Sequence, residues 1–129
     1  MSLLEAAALW VGLNALLLIV LSGRVGMARM KNQVNLGDGD NPAMLKAIRT
    51  QGNYIEYAPA ALGGLVLLAL LNAPIALIHT LGALFFLARL SHLAGLGMGV
   101  WSQGRMLGTV GTMLTLLITG ISLIYLAIF

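Results

Sequence analysis

The chain has no cysteine. Disulfides, thiolate metal ligands and a protein-borne cysteine nucleophile are therefore excluded, and any thiol chemistry must use a thiol that arrives with a ligand. Charge is also scarce. Asp, Glu, Lys and Arg make up 9% of the 129 residues, against about 25% in a soluble domain, so they cannot clothe a water-facing surface. No nucleic-acid partner and no metal site are expected.

What is present is apolar: 60% of the residues are hydrophobic and the mean hydropathy is +0.97. Four apolar stretches, roughly 3–22, 43–71, 74–96 and 106–129, each reach the ~20 residues needed to cross a hydrocarbon core about 30 Å thick. The expected fold is all-α and integral to a membrane, a four-transmembrane-helix bundle occupying 1–129 as a single domain. The first stretch does not read as a cleavable signal. It opens with Glu5 and no basic residue, and it exceeds the ~7–15 apolar residues of such a signal.

Basic residues are confined to two of the three links. Arg24, Arg29, Lys31, Lys46 and Arg49 lie between the first and second spans, and Arg89 and Arg105 flank the third link. Asn72, Ala73 and Pro74 form the second link without one, and the termini have none. By the positive-inside rule the first and third links are cytoplasmic and both termini lie on the far side.

The one long loop, about 31–41, ends Leu36-Gly37-Asp38-Gly39-Asp40-Asn41-Pro42. Asp38-Gly39-Asp40 invites a calcium reading, but Pro42 stands where such a loop needs its next oxygen ligand. Pro42 instead suits the first position of a helix, capped by Asn41 or Asp40. The helix that follows, 43–71, would be about 43 Å long at 1.5 Å per residue, more than the bilayer requires. Its first turns, with Lys46 and Arg49, are expected at the headgroup level. Gly95, Gly99, Gly104, Gly108 and Gly111, with Thr112, Thr115 and Thr119, predict close helix packing with hydrogen bonds across the seam.

The most informative stretch runs from Arg49 to Pro59. At about 100° per residue, Arg49, Asn53 and Glu56 fall near 0°, 40° and −20°, one narrow polar stripe with Tyr57 at its edge. Glu56 lies about 10 Å deeper than Arg49. An ionisable group at that depth marks a functional site unless it serves only as a packing ion pair. Gln51 falls near 200°, on the opposite side. It is either an interhelical hydrogen-bond partner or part of a site formed with a neighbouring subunit.

Arg49-x-Gln51-x-Asn53-x-x-Glu56-Tyr57-x-Pro59 resembles the second-helix motif of the MAPEG family, the membrane-associated proteins in eicosanoid and glutathione metabolism. The loop before Pro42 is similar to that of bacterial members. Length, four spans and orientation agree, so the resemblance covers essentially the whole chain. It implies a homotrimer in a bacterial inner membrane, with termini periplasmic and three glutathione sites between subunits, open to the cytoplasm. It further implies that Arg49, Asn53, Glu56 and Tyr57 bind glutathione, with Gln51 reaching a neighbour's site and Arg24 or Arg29 adding a basic group. Arg89-x-x-His92 is similar to the family's Arg-x-x-[His/Tyr] pair. Arg105 sits where catalytic members place the arginine that stabilises the glutathione thiolate. Leu96 departs from the family, standing where many catalytic members have tyrosine. Met106 replaces the serine of one eicosanoid branch and argues against its isomerase chemistry.

The chemistry fits that expectation. Glutathione carries two carboxylates and one ammonium, and five arginines face a single deep acid, Glu56. Arginine forks suit carboxylates, Glu56 suits the ammonium, and a cation lowers the pKa of an adjacent thiol. The expected activity is a glutathione transferase acting on hydrophobic electrophiles, with glutathione peroxidase activity as an extension. A non-catalytic glutathione- or lipid-binding scaffold is the alternative that Leu96 raises. A small four-span drug/proton antiporter would also use a lone membrane glutamate, but would not ring it with Arg49, Gln51 and Asn53. Lys31 and Lys46 read as headgroup contacts, His79 as packing, Trp10 and Trp101 as interfacial anchors or packing, and the methionines as gap fillers.

Overall fold

Ser2 decides where the first helix begins. Its hydroxyl accepts from the Glu5 amide while the Glu5 carboxylate accepts from the Ser2 amide, a reciprocal cap. In the computed structural model, which describes residues 1–129, α1 runs from there over Leu3–Asn32. The apolar stretch ends at Ser22, yet the helix continues through Arg24, Arg29 and Lys31 and stops where Gln33 turns left-handed at φ 56°. No proline interrupts those turns, and Arg29 and Lys31 lie at the helix end that favours cations.

Asn41 starts α2, Pro42–Leu70. Its Oδ1 accepts from the amides of Ala43 at 3.0 Å and Met44 at 3.1 Å, and its Nδ2 donates to Asn32 Oδ1 at 2.9 Å. One side chain thus ties the end of α1 to the start of α2. Asn41→Ala is expected to cost about 1 kcal/mol, read as a lowered Tm and faster proteolysis between 33 and 45. An unchanged Tm would show that the first turn of α2 is held by packing instead.

α3, Ile75–His92, ends in one π-helical turn, Leu93–Gly97, and α4 spans Gly104–Ile128. α2 and α3 pack together, α1 lies against both on one flank and α4 against both on the other; α1 and α4 do not meet. All four are long and apolar enough to cross a membrane. Of 129 residues only 29 are buried, and Leu16, Ile19, Leu117 and Ile124 point outward. Such a surface is at home in lipid, whose tails are as apolar as leucine.

Close approach is set by glycine. A Cβ on Gly104 would lie 2.5 Å from the Ser91 carbonyl oxygen, and one on Gly108 would lie 2.5 Å from that of Ala88. The bare backbone of α4 is what lets it sit on α3. The threonines do not bond across this seam as expected. Thr112 and Thr115 donate instead to the Gly108 and Gly111 carbonyls of their own helix, both at 2.8 Å, because a carbonyl four residues back is within reach of any helical threonine. Across α1 and α3, Trp10 fills the space over Gly82 and its indole N–H donates to His79 Nδ1 at 3.1 Å. Trp10 is thus a packing residue and His79 its partner. Fully buried Asn14, which the sequence reading passed over, donates to the Trp10 carbonyl, and the Tyr54 hydroxyl lies 2.9 Å from the Asn14 carbonyl oxygen.

Candidate functional site

Two members of the polar stripe of α2, Arg49 and Asn53, line a cleft of about 360 Å³, together with Leu45 and Lys46 from α2, His92 and Leu96 from α3 and its π-turn, and Arg105 and Thr109 from α4. The π-turn and the following glycines bring the third wall into place. A Cβ on Gly95 would collide with the Arg105 amide nitrogen, so only glycine lets the end of α3 press against the start of α4. Leu96 and Arg105 thereby come to one cavity. π-turns recur at functional sites for the same geometric reason, since they re-aim the chain within a helix.

Electrostatically the cleft is one-sided. Lys46, Arg49 and Arg105 line it and no carboxylate does. Arg49 reaches Glu56 at 3.8 Å, with both side chains more than half exposed, and this is the only ion pair in the molecule. A pair so exposed is loosely held and leaves Arg49 free to exchange partners. Arg105 is exposed and makes no side-chain hydrogen bond, although Thr109 donates back to its carbonyl at 2.9 Å. His92 is 3% exposed and its ring has no hydrogen-bond partner in the chain. Such a wall can grip carboxylates and stabilise a developing anion.

Of the residues singled out from sequence, Arg49, Asn53, His92 and Arg105 meet in this cleft, and Leu96 lines it as one of its two apolar members, with Leu45. Glu56 stands beside it through Arg49. Arg89 and Tyr57 lie behind the wall. Arg89 is 3% exposed, donates to Asn53 Oδ1 at 2.8 Å, and has its guanidinium 6.0 Å from the Tyr57 ring. Gln51 points the other way and donates to Ser22 Oγ on α1 at 2.7 Å, which is the interhelical bond that was one of its two readings. Arg24 and Arg29 separate clearly. Arg24 donates to the Gly97 carbonyl at 2.8 Å, one residue from Leu96, whereas Arg29 donates to Gly37 at 3.1 Å and holds the connecting segment.

Three lining residues were missed as such: Leu45, Lys46 and Thr109. Helical spacing could have found them. Leu45 and Lys46 lie four and three residues before Arg49, and Thr109 lies four after Arg105, all one turn away on the same face.

Four membrane-length helices with a cationic, mostly polar cleft at one end of the bundle define an integral membrane protein. The sequence model of the MAPEG family matches residues 7–125, and the chain belongs to that family. It is similar to the inner membrane protein YecN of Escherichia coli strain K12, 35% identical over 89 residues that cover 69% of this chain and 68% of that protein. The protein of the same name from Escherichia coli O6:H1 strain CFT073 gives the same figures, 35% identity over 89 residues. No solved structure gives a significant match.

Proposed function

We propose that the protein is a membrane-bound glutathione transferase whose cleft binds glutathione and activates its thiol. The observation that carries this reading is the convergence of Lys46, Arg49, Asn53, His92 and Arg105 on one cleft without an acid in its wall. That donor set fits a ligand with two carboxylates and an ionisable thiol. Arg49, Asn53 and Lys46 hold carboxylates and carbonyls, and Glu56 at the rim takes the ammonium. Arg105, free of other partners, sits against the sulfur and favours the thiolate. The thiol proton leaves to water at the cleft mouth. The sulfur lone pair then forms the S–C bond to an apolar electrophile, and a leaving group departs with the bonding electrons. Leu96 gives that electrophile an apolar wall; a hydroperoxide attacked at oxygen would be the peroxidase variant.

The proposal includes a homotrimer with a site at each subunit junction. In that trimer Gln51 and Arg24 would exchange their bonds to Ser22 and Gly97 for a neighbour's ligand, and Arg24 is favoured over Arg29 because its Gly97 contact adjoins the cleft residue Leu96 whereas Arg29 is held by the link. The name of the Escherichia coli relatives supports an inner-membrane location, and the basic links support a cytoplasmic cleft with both termini periplasmic. A non-catalytic glutathione-binding role is the second reading. It is favoured by Leu96, which leaves Thr109 as the only hydroxyl in the lining.

The test is ultraviolet difference absorption of purified protein with reduced glutathione at neutral pH. A thiolate band is the expected result. Binding without a band would transfer support to the non-catalytic reading, and no binding at all would overturn the glutathione assignment.

A further inference from the structure

Arg89 is a buried cation in a membrane helix with no carboxylate beside it. Its Nη1 donates to Asn53 Oδ1 at 2.8 Å and its Nη2 to the Gly108 carbonyl at 3.1 Å. The rings of Tyr57 and Phe85 lie 6.0 and 5.9 Å from the guanidinium carbon, and its Nε has no partner. A side chain so enclosed is not part of the cleft wall. What it reaches is Asn53, which is.

A guanidinium has N–H donors and no acceptor, so the amide facing it must present its oxygen. Asn53 Oδ1 is therefore engaged inward, and Nδ2, which has no partner in the chain, is left with two hydrogens for the cleft. An unrestrained asparagine can offer either end of its amide to a ligand. This one cannot turn over without setting an NH₂ against a buried guanidinium.

We propose that Arg89 is a positioning residue that fixes the polarity of Asn53, making it a dedicated hydrogen-bond donor to a carboxylate or peptide carbonyl of the ligand. The consequence is that the cations and the amide of the wall all present donors: Lys46, Arg49, Asn53 Nδ2 and Arg105. The ligand's acidic and carbonyl groups face that wall, and its ammonium lies outward toward Glu56. This deepens the glutathione reading above and rests on it.

The test is a titration of reduced glutathione into the full-length protein in lipid nanodiscs, with Kd and Tm recorded for each variant. Asn53→Ala and Arg89→Met are each expected to weaken binding about tenfold or more, the scale of one hydrogen bond to a charged group. The double variant should bind no more weakly than Asn53→Ala, because Arg89 acts only through Asn53. Asn53→Asp keeps an oxygen toward Arg89 but replaces the donor with an anion. It should retain or raise Tm while losing measurable binding.

Additive losses in the double variant would overturn the proposal by showing that Arg89 meets the ligand itself. So would Asn53→Asp binding at wild-type strength or tighter, and this arm stands even where Arg89→Met fails to fold. Wild-type protein that binds no glutathione would instead overturn the underlying assignment, and this inference with it.

Discussion

Gly108→Val is expected to unseat α4 from α3 and to cost about 3 kcal/mol, the upper end for overpacking a tight contact. The cause is that the obstructing atoms cannot move aside. A Cβ at residue 108 would lie 2.5 Å from the Ala88 carbonyl oxygen and 2.7 Å from the His92 amide nitrogen, both backbone. A flexible side chain could swing away; a neighbouring helix must shift as a whole. That shift would also pull the Gly108 carbonyl from Arg89 and carry Arg105 away from His92, so the cleft should fail together with the fold. The control is Gly120→Val on the same helix, where an added Cβ meets nothing within 4 Å. It should change stability by no more than about 0.5 kcal/mol. Thermal unfolding of both variants in the same detergent decides the matter. Equal losses would mean that valine is poorly tolerated anywhere in α4 and that the seam is not special.

The second large effect is on chemistry with the fold intact. Arg105→Ala removes an exposed side chain that has no hydrogen-bond partner in the chain, so Tm should not move. Turnover of glutathione with an activated aryl chloride should fall about 100- to 1,000-fold, the scale for removing one preorganised donor from a developing anion. The thiolate band should vanish at neutral pH, and the pH–rate profile should move upward toward the free thiol value of ~8.5. Arg29→Ala serves as comparison, because Arg29 holds the connecting segment through Gly37 and does not line the cleft. Its rate should stay within a factor of two or so of wild type, since its change lies away from the reacting atoms. Were Arg105→Ala to keep both band and rate, the sulfur would have to be held by Arg49 or Lys46.

These two outcomes separate the scaffold from the chemistry it carries. The glycine seam places α4, and α4 places Arg105. A protein that folds without Arg105 but cannot fold with valine at 108 would show that the cleft's chemistry is an addition to a scaffold whose stability comes from elsewhere.

Much of this was legible in the sequence because it depends on local rules. Hydropathy and length are enough for four helices, since lipid admits no other use for such runs. Asn41-Pro42 marks a helix start by its own hydrogen-bonding capacity, and the glycines of α4 announce a close approach. The stripe Arg49–Asn53–Glu56 follows from helical periodicity alone, as does Gln51 lying opposite.

Only the tertiary structure decided what each face meets. Periodicity relates residues along one helix, but the rotation and depth at which α3 and α4 dock on α2 are set by side-chain packing and by the π-turn at Leu93–Gly97. That docking puts Thr109 and Lys46 in the cleft wall and sends Arg89 behind it to Asn53. The docking of α1 on α2 joins Gln51 to Ser22, and the different partners α1 meets, Gly97 and Gly37, separate Arg24 from Arg29. A residue's type and spacing state what it can bond; which partner it receives depends on the neighbouring helix, and that is a property of the packed whole.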